Sequence, residues 1–333
     1  MLGLPLIACA VHRLAVVSLV ASVDIAAAAA RLAGRVVRTP LLFSERLSEA
    51  LGLVVLLKAE NLQYTGSFKA RGAQNALLAR SERGQLPAGV ATFSAGNHAA
   101  AAAFAGRRLG LPVVVCMPPG AVEVKVAAVE RYGGEVVLTD DLVGTCQALA
   151  AERGYTLLHP FDDLDVIAGA GTVGAELAAD AGTVDLVLVP VGGGGLISGV
   201  AAAVKQASPA TRVIGIEPAT ANAVTHGRRH GALVPLPTPP RSLADGLTAP
   251  YVGRHNLDHI DKYVDAVIEV PEHAIERAWW ELLDASKLLV EPSAAVGLAA
   301  LREHAIEVDP GARVALVMSG GNVAPTTLGR LGP

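Results

Sequence analysis

Cysteine is scarce in this chain: three in 333 residues, Cys9, Cys116 and Cys146, with no C-x-x-C spacing among them. That rules out a disulfide framework, and although His12 follows Cys9 closely, no second pair of ligands completes a zinc pattern. A reducing cytoplasm is the compartment to expect. Excess positive charge is also lacking. Lys and Arg number 27 against 31 Asp and Glu, a net −4 with the signs interspersed, so no basic face invites nucleic acid or an acidic lipid surface. The partner to expect is a small molecule. No internal repeat of fixed period occurs. The one long apolar stretch, "MLGLPLIACAVHRLAVVSLVASV", has no positive charge before it and is interrupted by His12 and Arg13. It makes a poor secretion signal and a worse membrane span. Residues 1–20 read instead as an extension, with a natural start expected near Val16 and Val17.

What the chain has in quantity is apolar residues, 52% of the total, much of it alanine in runs such as "NHAAAAAFAG" that favour helices. The length suits two modest domains or one large α/β unit. "LVVLL" (53–57) reads as a buried strand and "FKARGAQNALLARSERG" (68–84) as a helix closed by Gly84. Strand and helix then alternate. "GVATFS" (89–94), "LPVVVCMP" and "EVVLTD" (135–140) are strands, with helices between and after them. A second series runs through "VDLVLVPVGGGGLISGVAAAVK" (184–205), "TRVIGIEP" (211–218), "YVDAVIEV" (263–270), two helices and "ARVALVMS" (312–319). This order implies parallel sheets covered by helices. The Gly- and Pro-rich stretch "HGRRHGALVPLPTPPRSLADGL" (226–247) reads as an irregular surface excursion. Two α/β lobes with a cleft between them would place ligands at the carboxyl ends of the strands.

Several strand-end loops carry residues suited to chemistry. Lys69 in "TGSFKARGA" falls in the first turn of its helix, where a cation is least welcome because the unpaired N–H groups already make that end positive. A solvated surface lysine is the ordinary alternative. Gly192, Gly193, Gly194 and Gly195 lie between a strand and a helix, a place where the backbone can turn several N–H groups toward an anion. The loop matches neither Walker A nor G-x-G-x-x-G. A dinucleotide site stays open as a reading, with Glu217 imitating the ribose-binding acid. "SAGNHA" (94–99) repeats the architecture with Ser94, Asn97 and His98, and "MSGGNV" (318–323) adds the hydroxyl of Ser319. Together these features converge on pyridoxal 5'-phosphate. It brings an aldehyde for a lysine amine of lowered pKa, a phosphate for the glycine loop, and a ring nitrogen that needs one polar partner.

From about residue 20 onward the chain resembles the fold-type II pyridoxal-phosphate enzymes, in the serine/threonine dehydratase (threonine ammonia-lyase) and serine racemase branch. The resemblance runs in order through "RTPLL", "KAENLQYTGSFKARGA", "FSAGNHA", "HPFDD", "IAGAGTVGAEL", "VPVGGGGLISG", "LADGL", "EPSAAVGLAAL" and "SGGN". It implies a tryptophan synthase β-like α/β fold of two lobes, each with a mainly parallel sheet flanked by helices, and the cofactor in the cleft. A large cofactor-binding domain would comprise 21–85 and 156–333, and a small mobile domain 86–155. It further implies that Lys69 forms the Schiff base, that Phe68 packs on the ring, and that Asn97 bonds the ring hydroxyl. Gly192 to Gly195 would hold the phosphate and Ser319 would meet the ring nitrogen. Ser94, Ala95, Asn97 and His98 would frame the substrate carboxylate.

The implied reaction is α,β-elimination from L-threonine or L-serine, giving 2-oxobutanoate or pyruvate and ammonia, with Lys69 as general base. Serine racemases of this branch carry a serine directly after the residue matching Ser94; here it is Ala95, which favours a dehydratase. A divalent cation would use Glu217 and the carbonyl of Ala221, but Ala223 stands where a second acid belongs, so weak or absent binding is expected. The chain stops soon after "SGGN", so no isoleucine-binding regulatory domain is expected, while the resemblance implies a homodimer. 3-Hydroxyaspartate dehydration and serine or aspartate racemisation are the alternatives within the fold. A non-catalytic cofactor-binding protein is the alternative outside catalysis.

Overall fold

The computed structural model describes residues 18–330 apart from Val122; the expected start near Val16 and Val17, most of the 1–20 extension, and Cys9 and His12 lie outside the described residues. Among the described residues ten strands form two sheets. They are β1 Leu41–Phe43, β2 Val54–Ala59, β3 Val90–Phe93, β4 Val113–Met117, β5 Glu135–Leu138, β6 Thr156–Leu157, β7 Leu186–Pro190, β8 Arg212–Pro218, β9 Ala266–Val270 and β10 Arg313–Met318. The larger sheet has the order β1-β2-β10-β7-β8-β9, with β1 antiparallel to β2 and the remaining pairs parallel. The smaller one, β5-β4-β3-β6, is parallel throughout. It reaches Leu157, two residues past the expected boundary at 155.

The strand sequences explain this burial. "VVVCM" in β4 and "LVLVP" in β7 are buried at every position, as strands covered by helices on both faces must be. Cys116 in β4 and Cys146 on the helix Leu142–Arg153 are free, buried thiols in one apolar cluster. Behind the larger sheet, the helices Leu164–Ala181 and Gly195–Ala207 cross almost backbone to backbone. A Cβ on Gly199 would lie 2.4 Å from the Gly171 nitrogen and the Ile167 carbonyl oxygen, so the small residues of "IAGAGTVGAEL" set the spacing. On the other face Trp279 is fully buried and donates its indole N–H to the Val290 carbonyl at 2.7 Å.

One segment differs from expectation. Residues 226–230 belong to a helix, Ala223–His230, instead of opening an irregular excursion. The reason lies at the end of β8, where the Glu217 carboxylate accepts the N–H groups of Val224 (3.0 Å) and Thr225 (2.9 Å) and caps the first turn. The stretch closes with a single 3₁₀ turn, Asp245–Leu247.

Candidate active site

The chain between β2 and the helix Lys69–Glu82 is stitched to the end of β10. The N–H of Phe68 donates to the Ser319 carbonyl at 3.1 Å, and Ser67 bridges to Gly320. Lys69 is the first residue of that helix, as its sequence position implies. Its side chain is half-buried in the cleft wall, donates to the Pro160 carbonyl at 2.7 Å, and its amine lies 5.1 Å from the Phe68 ring centroid. Burial lowers its pKa to about 8, against the opposing pull of Glu291. Desolvation of the ammonium, more than the helix end, is the dominant cause.

From the smaller sheet, β3 runs into Ser94 and Ala95 before the helix Asn97–Leu109 begins. Ser94 Oγ accepts the N–H of Gly96 at 3.1 Å, holding the turn that leads into the helix start, and residues 94–98 line the cleft. Asn97 is fixed from two sides. Its Nδ2 donates to both oxygens of Glu291, at 2.9 and 3.0 Å, and its Oδ1 accepts from Asn322 at 2.9 Å. His98 is buried with neither ring nitrogen hydrogen-bonded, and burial, aided by the nearby Lys69, holds it well below the usual imidazole range. It is a neutral side chain at physiological pH.

The glycine loop follows β7. Gly194 has φ +97°, a left-handed conformation that a side chain would strain. The loop is also sterically closed to larger residues. A Cβ on Gly193 would lie 2.6 Å from the Phe161 ring, and one on Gly192 would lie 3.0 Å from the Leu247 backbone. Behind it, buried Asn256 donates to the Phe161 carbonyl at 3.1 Å, and Ser198 Oγ donates to the Gly194 carbonyl at 2.8 Å. His159 Nδ1 accepts the Asp162 N–H at 2.9 Å, and its ring packs edge-on against Phe161. Burial pushes His159 down to about 4, so it also stays neutral.

These segments enclose one cavity of about 340 Å³. Phe68, Lys69, Ser94, Ala95, Asn97, His98, Gly192 to Gly195 and Ser319 all line it, so the structure brings together every site residue expected from the sequence except the metal candidates. Glu217 and Ala221 are not in the lining: Glu217 is spent on capping a helix, and Ala221 is fully buried. Among the described residues no cluster of three or more His, Cys, Asp or Glu is arranged to hold a metal ion. The same hydrogen bonds leave Glu217 unavailable to a ribose. Sequence reasoning missed Glu291, Lys125 and Asp245, which also line the cavity. Burial pushes Glu291 up to about 7, the hydrogen bond from Asn97 opposing it.

A family model described as pyridoxal-phosphate dependent enzyme matches residues 32–320, nearly the whole described chain. The chain belongs to this family. It is similar to the L-threonine ammonia-lyase of Geobacter sulfurreducens, 42% identical over 302 residues that make up 90% of this chain and 74% of that one. It is also similar to the L-threo-3-hydroxyaspartate ammonia-lyase of Saccharomyces cerevisiae, 37% identical over 90% of this chain and 92% of the other. The structure of maize serine racemase superimposes with a TM-score of 0.87 at 35% identity, covering 93% of this chain and 96% of that chain. These relatives place the chain among the pyridoxal-phosphate-dependent ammonia-lyases and racemases of fold type II. The cavity fits that cofactor. A pyridoxal-phosphate enzyme needs a desolvated amine, a loop whose bare backbone can approach a phosphate and an apolar face for the ring, and Lys69, the glycine turn and Phe68 line one cavity. Among the described residues no helix is long and apolar enough to cross a membrane.

Proposed function

We propose that this protein is a hydroxy amino acid ammonia-lyase that converts L-threonine, L-serine or both into 2-oxobutanoate or pyruvate and ammonia. The observation that carries the reading is Lys69: a desolvated amine in the cavity lining, held to about 8, with a substantial neutral fraction near physiological pH. Ala95 supports elimination over racemisation, because a methyl group in the lining cannot serve as a second base. Across the reaction the α-hydrogen and β-hydroxyl leave as water, and water then replaces the amine, so the net products are the 2-oxo acid and ammonia.

Pyridoxal phosphate supplies an electron sink for the charge left at the α-carbon, a moderate one where a hydroxyl such as Ser319 meets the ring nitrogen. Lys69 would hold it, Gly192 to Gly195 would hold its phosphate, Phe68 would pack on its ring, and Asn97 would face its ring hydroxyl. One N–H of Asn97 suffices for Glu291, leaving the other free to donate. Ser94, the first N–H groups of the helix Asn97–Leu109, and His98 orient the substrate carboxylate. The neutral Lys69 amine takes the α-proton, and that proton leaves with the β-hydroxyl. Because the Ser94–His98 loop hangs from the smaller sheet, 86–157 would close over substrate held by 21–85 and 158–330.

The test is release of 2-oxo acid by cofactor-loaded protein offered L-threonine and L-serine in parallel, with Lys69→Ala as control. Lysine-dependent 2-oxobutanoate or pyruvate supports the assignment and ranks the substrates. No product from protein in which borohydride still fixes the cofactor to Lys69 would sink it, leaving racemisation or another β-substituted substrate.

A further inference from the structure

Lys125, on the helix Glu123–Arg131 that packs with the smaller sheet, forms an ion pair with Asp245 at the start of the turn Asp245–Leu247. Both line the cavity. Among the described residues this is the one ion pair that joins 86–157 to the rest of the chain. Asp245 precedes by two residues the Leu247 backbone that packs on Gly192, so its position is tied to the glycine loop. The Lys125 side chain is 19% exposed and that of Asp245 51%, which sets the pair at the cavity mouth.

The lining has a simple charge inventory. Its ammonium groups among the described residues are Lys69 and Lys125, and its carboxyl groups are Asp245 and Glu291. Lys69 is committed to the cofactor and the α-carbon in the reading above, and the substrate's α-carboxylate goes to the Ser94–His98 loop. A second carboxylate, at the β-carbon, has one cation left to meet, and Asp245 already neutralises it.

We propose that the Lys125–Asp245 pair is the specificity device of this site: by occupying Lys125, Asp245 sets the pocket against amino acids with a distal carboxylate and in favour of those with an uncharged side chain. The inference rests on the ammonia-lyase reading for the class of ligand. An unpaired Lys125 would convert the same cavity to one that takes an acidic side chain, since rejection here comes from an occupied partner and a like charge.

The test separates binding from turnover. Cofactor-loaded wild type, Asp245→Asn, Lys125→Met and the double variant are titrated calorimetrically with L-2-aminobutyrate and L-aspartate. These ligands lack a β-hydroxyl and differ by a methyl against a carboxylate. Wild type should bind aminobutyrate the more tightly. Asp245→Asn should shift the ratio of dissociation constants toward aspartate by roughly tenfold, the scale for one partly exposed charge contact. Adding Lys125→Met should cancel that shift, and 1 M salt should shrink it, because the screening length is then only about 3 Å. If Asp245→Asn fails to load cofactor, Lys125→Met alone decides: stripped of its cation, the pocket should lose several-fold more affinity for aspartate than for aminobutyrate. Ratios within about twofold of wild type in the single variants that load, or a wild type that prefers aspartate, overturn the proposal. Failure of the lyase reading looks different: wild type would release no 2-oxo acid from L-threonine or L-serine while the binding ratio still moved.

Discussion

The side-chain amide of Asn97 sits against the carboxylate of Glu291, 2.9 and 3.0 Å from its two oxygens, and so ties the loop after β3 to the turn that opens at Pro292. Burial pushes Glu291 up to about 7 from an ordinary 4.5, with the Asn97 N–H working against the shift. The folded protein therefore retains a proton that the unfolded chain gives up from about pH 4.5. The sign follows. Stability is greatest below that range, falls as pH rises between the two values, and is flat above. Denaturant unfolding at pH 5 and pH 8 should show wild type losing about 2–3 kcal/mol more than Glu291→Gln across that interval. Equal losses in the two proteins would mean that Glu291 is already charged at pH 5.

Lys69 gives the opposite signature in the cofactor-free protein. Its folded value of about 8 lies below the ordinary 10.5, so the unfolded chain binds the extra proton between those limits and stability rises with pH across them. Cofactor-free Lys69→Met should lack that rise and melt higher than wild type at pH 7, because a partly desolvated ammonium has been removed. In the loaded enzyme Lys69→Ala should lower kcat for L-threonine by about 10²-fold or more, the usual scale for a lost general base. Unchanged turnover would remove Lys69 from the chemistry.

The parts of the site that were legible in the sequence are those whose signal is local. The four glycines, Ser94 to His98 and Ser319 each follow an apolar run directly, so strand, turn and side chain can be read together, while Lys69 shows itself by opening a helix ten residues past the end of β2. Glu291 was not legible in this way. Its partner Asn97 is 194 positions away, and the sole local trace is an acid before Pro292 at a helix start, which an ordinary cap would also leave. Lys125 and Asp245 are 120 positions apart and each looks like a solvated surface residue until the fold brings them together. Glu217 failed in the other direction. An acid at the end of a strand looks the same whether it binds a cation, a ribose or two backbone N–H groups, and only the placement of Val224 and Thr225 distinguishes them.

Gly194 is where the cofactor reading meets backbone strain. Its φ of +97° excludes an unstrained side chain, and an added Cβ would sit 2.8 Å from Asn256 Cβ. Gly194→Ala should therefore cost roughly 1–3 kcal/mol of stability and weaken cofactor binding by a larger factor than it lowers kcat of the loaded fraction. Titration of cofactor-free protein with pyridoxal phosphate, followed by absorbance, measures the first effect separately from turnover. Wild-type affinity in Gly194→Ala would detach the loop from the phosphate.

Arg71, two residues after Lys69 on the same helix, anchors that helix from below. It is fully buried, and its guanidinium donates to Glu60 (two bonds of 2.8 Å) and to Glu176 (2.7 and 2.8 Å), while the Lys58 amine reaches Glu176 at 2.6 Å. Burial alone would lower the Arg71 pKa, but Glu60 and then Glu176 outweigh it and hold the charge in place. Two acids and two bases make the cluster neutral. Arg71→Met leaves two carboxylates facing one ammonium, so urea unfolding should show a loss of about 3–5 kcal/mol, the range for breaking a buried pair on one side. Adding Glu60→Gln rebalances the charge and should recover part of it, because the uncompensated carboxylate, more than the missing contact, carries the penalty. Purely additive losses in the double variant would show instead that Arg71 acts through packing. A recovery in stability without a recovery in kcat would show that the guanidinium also sets the direction in which Lys69 enters the cleft.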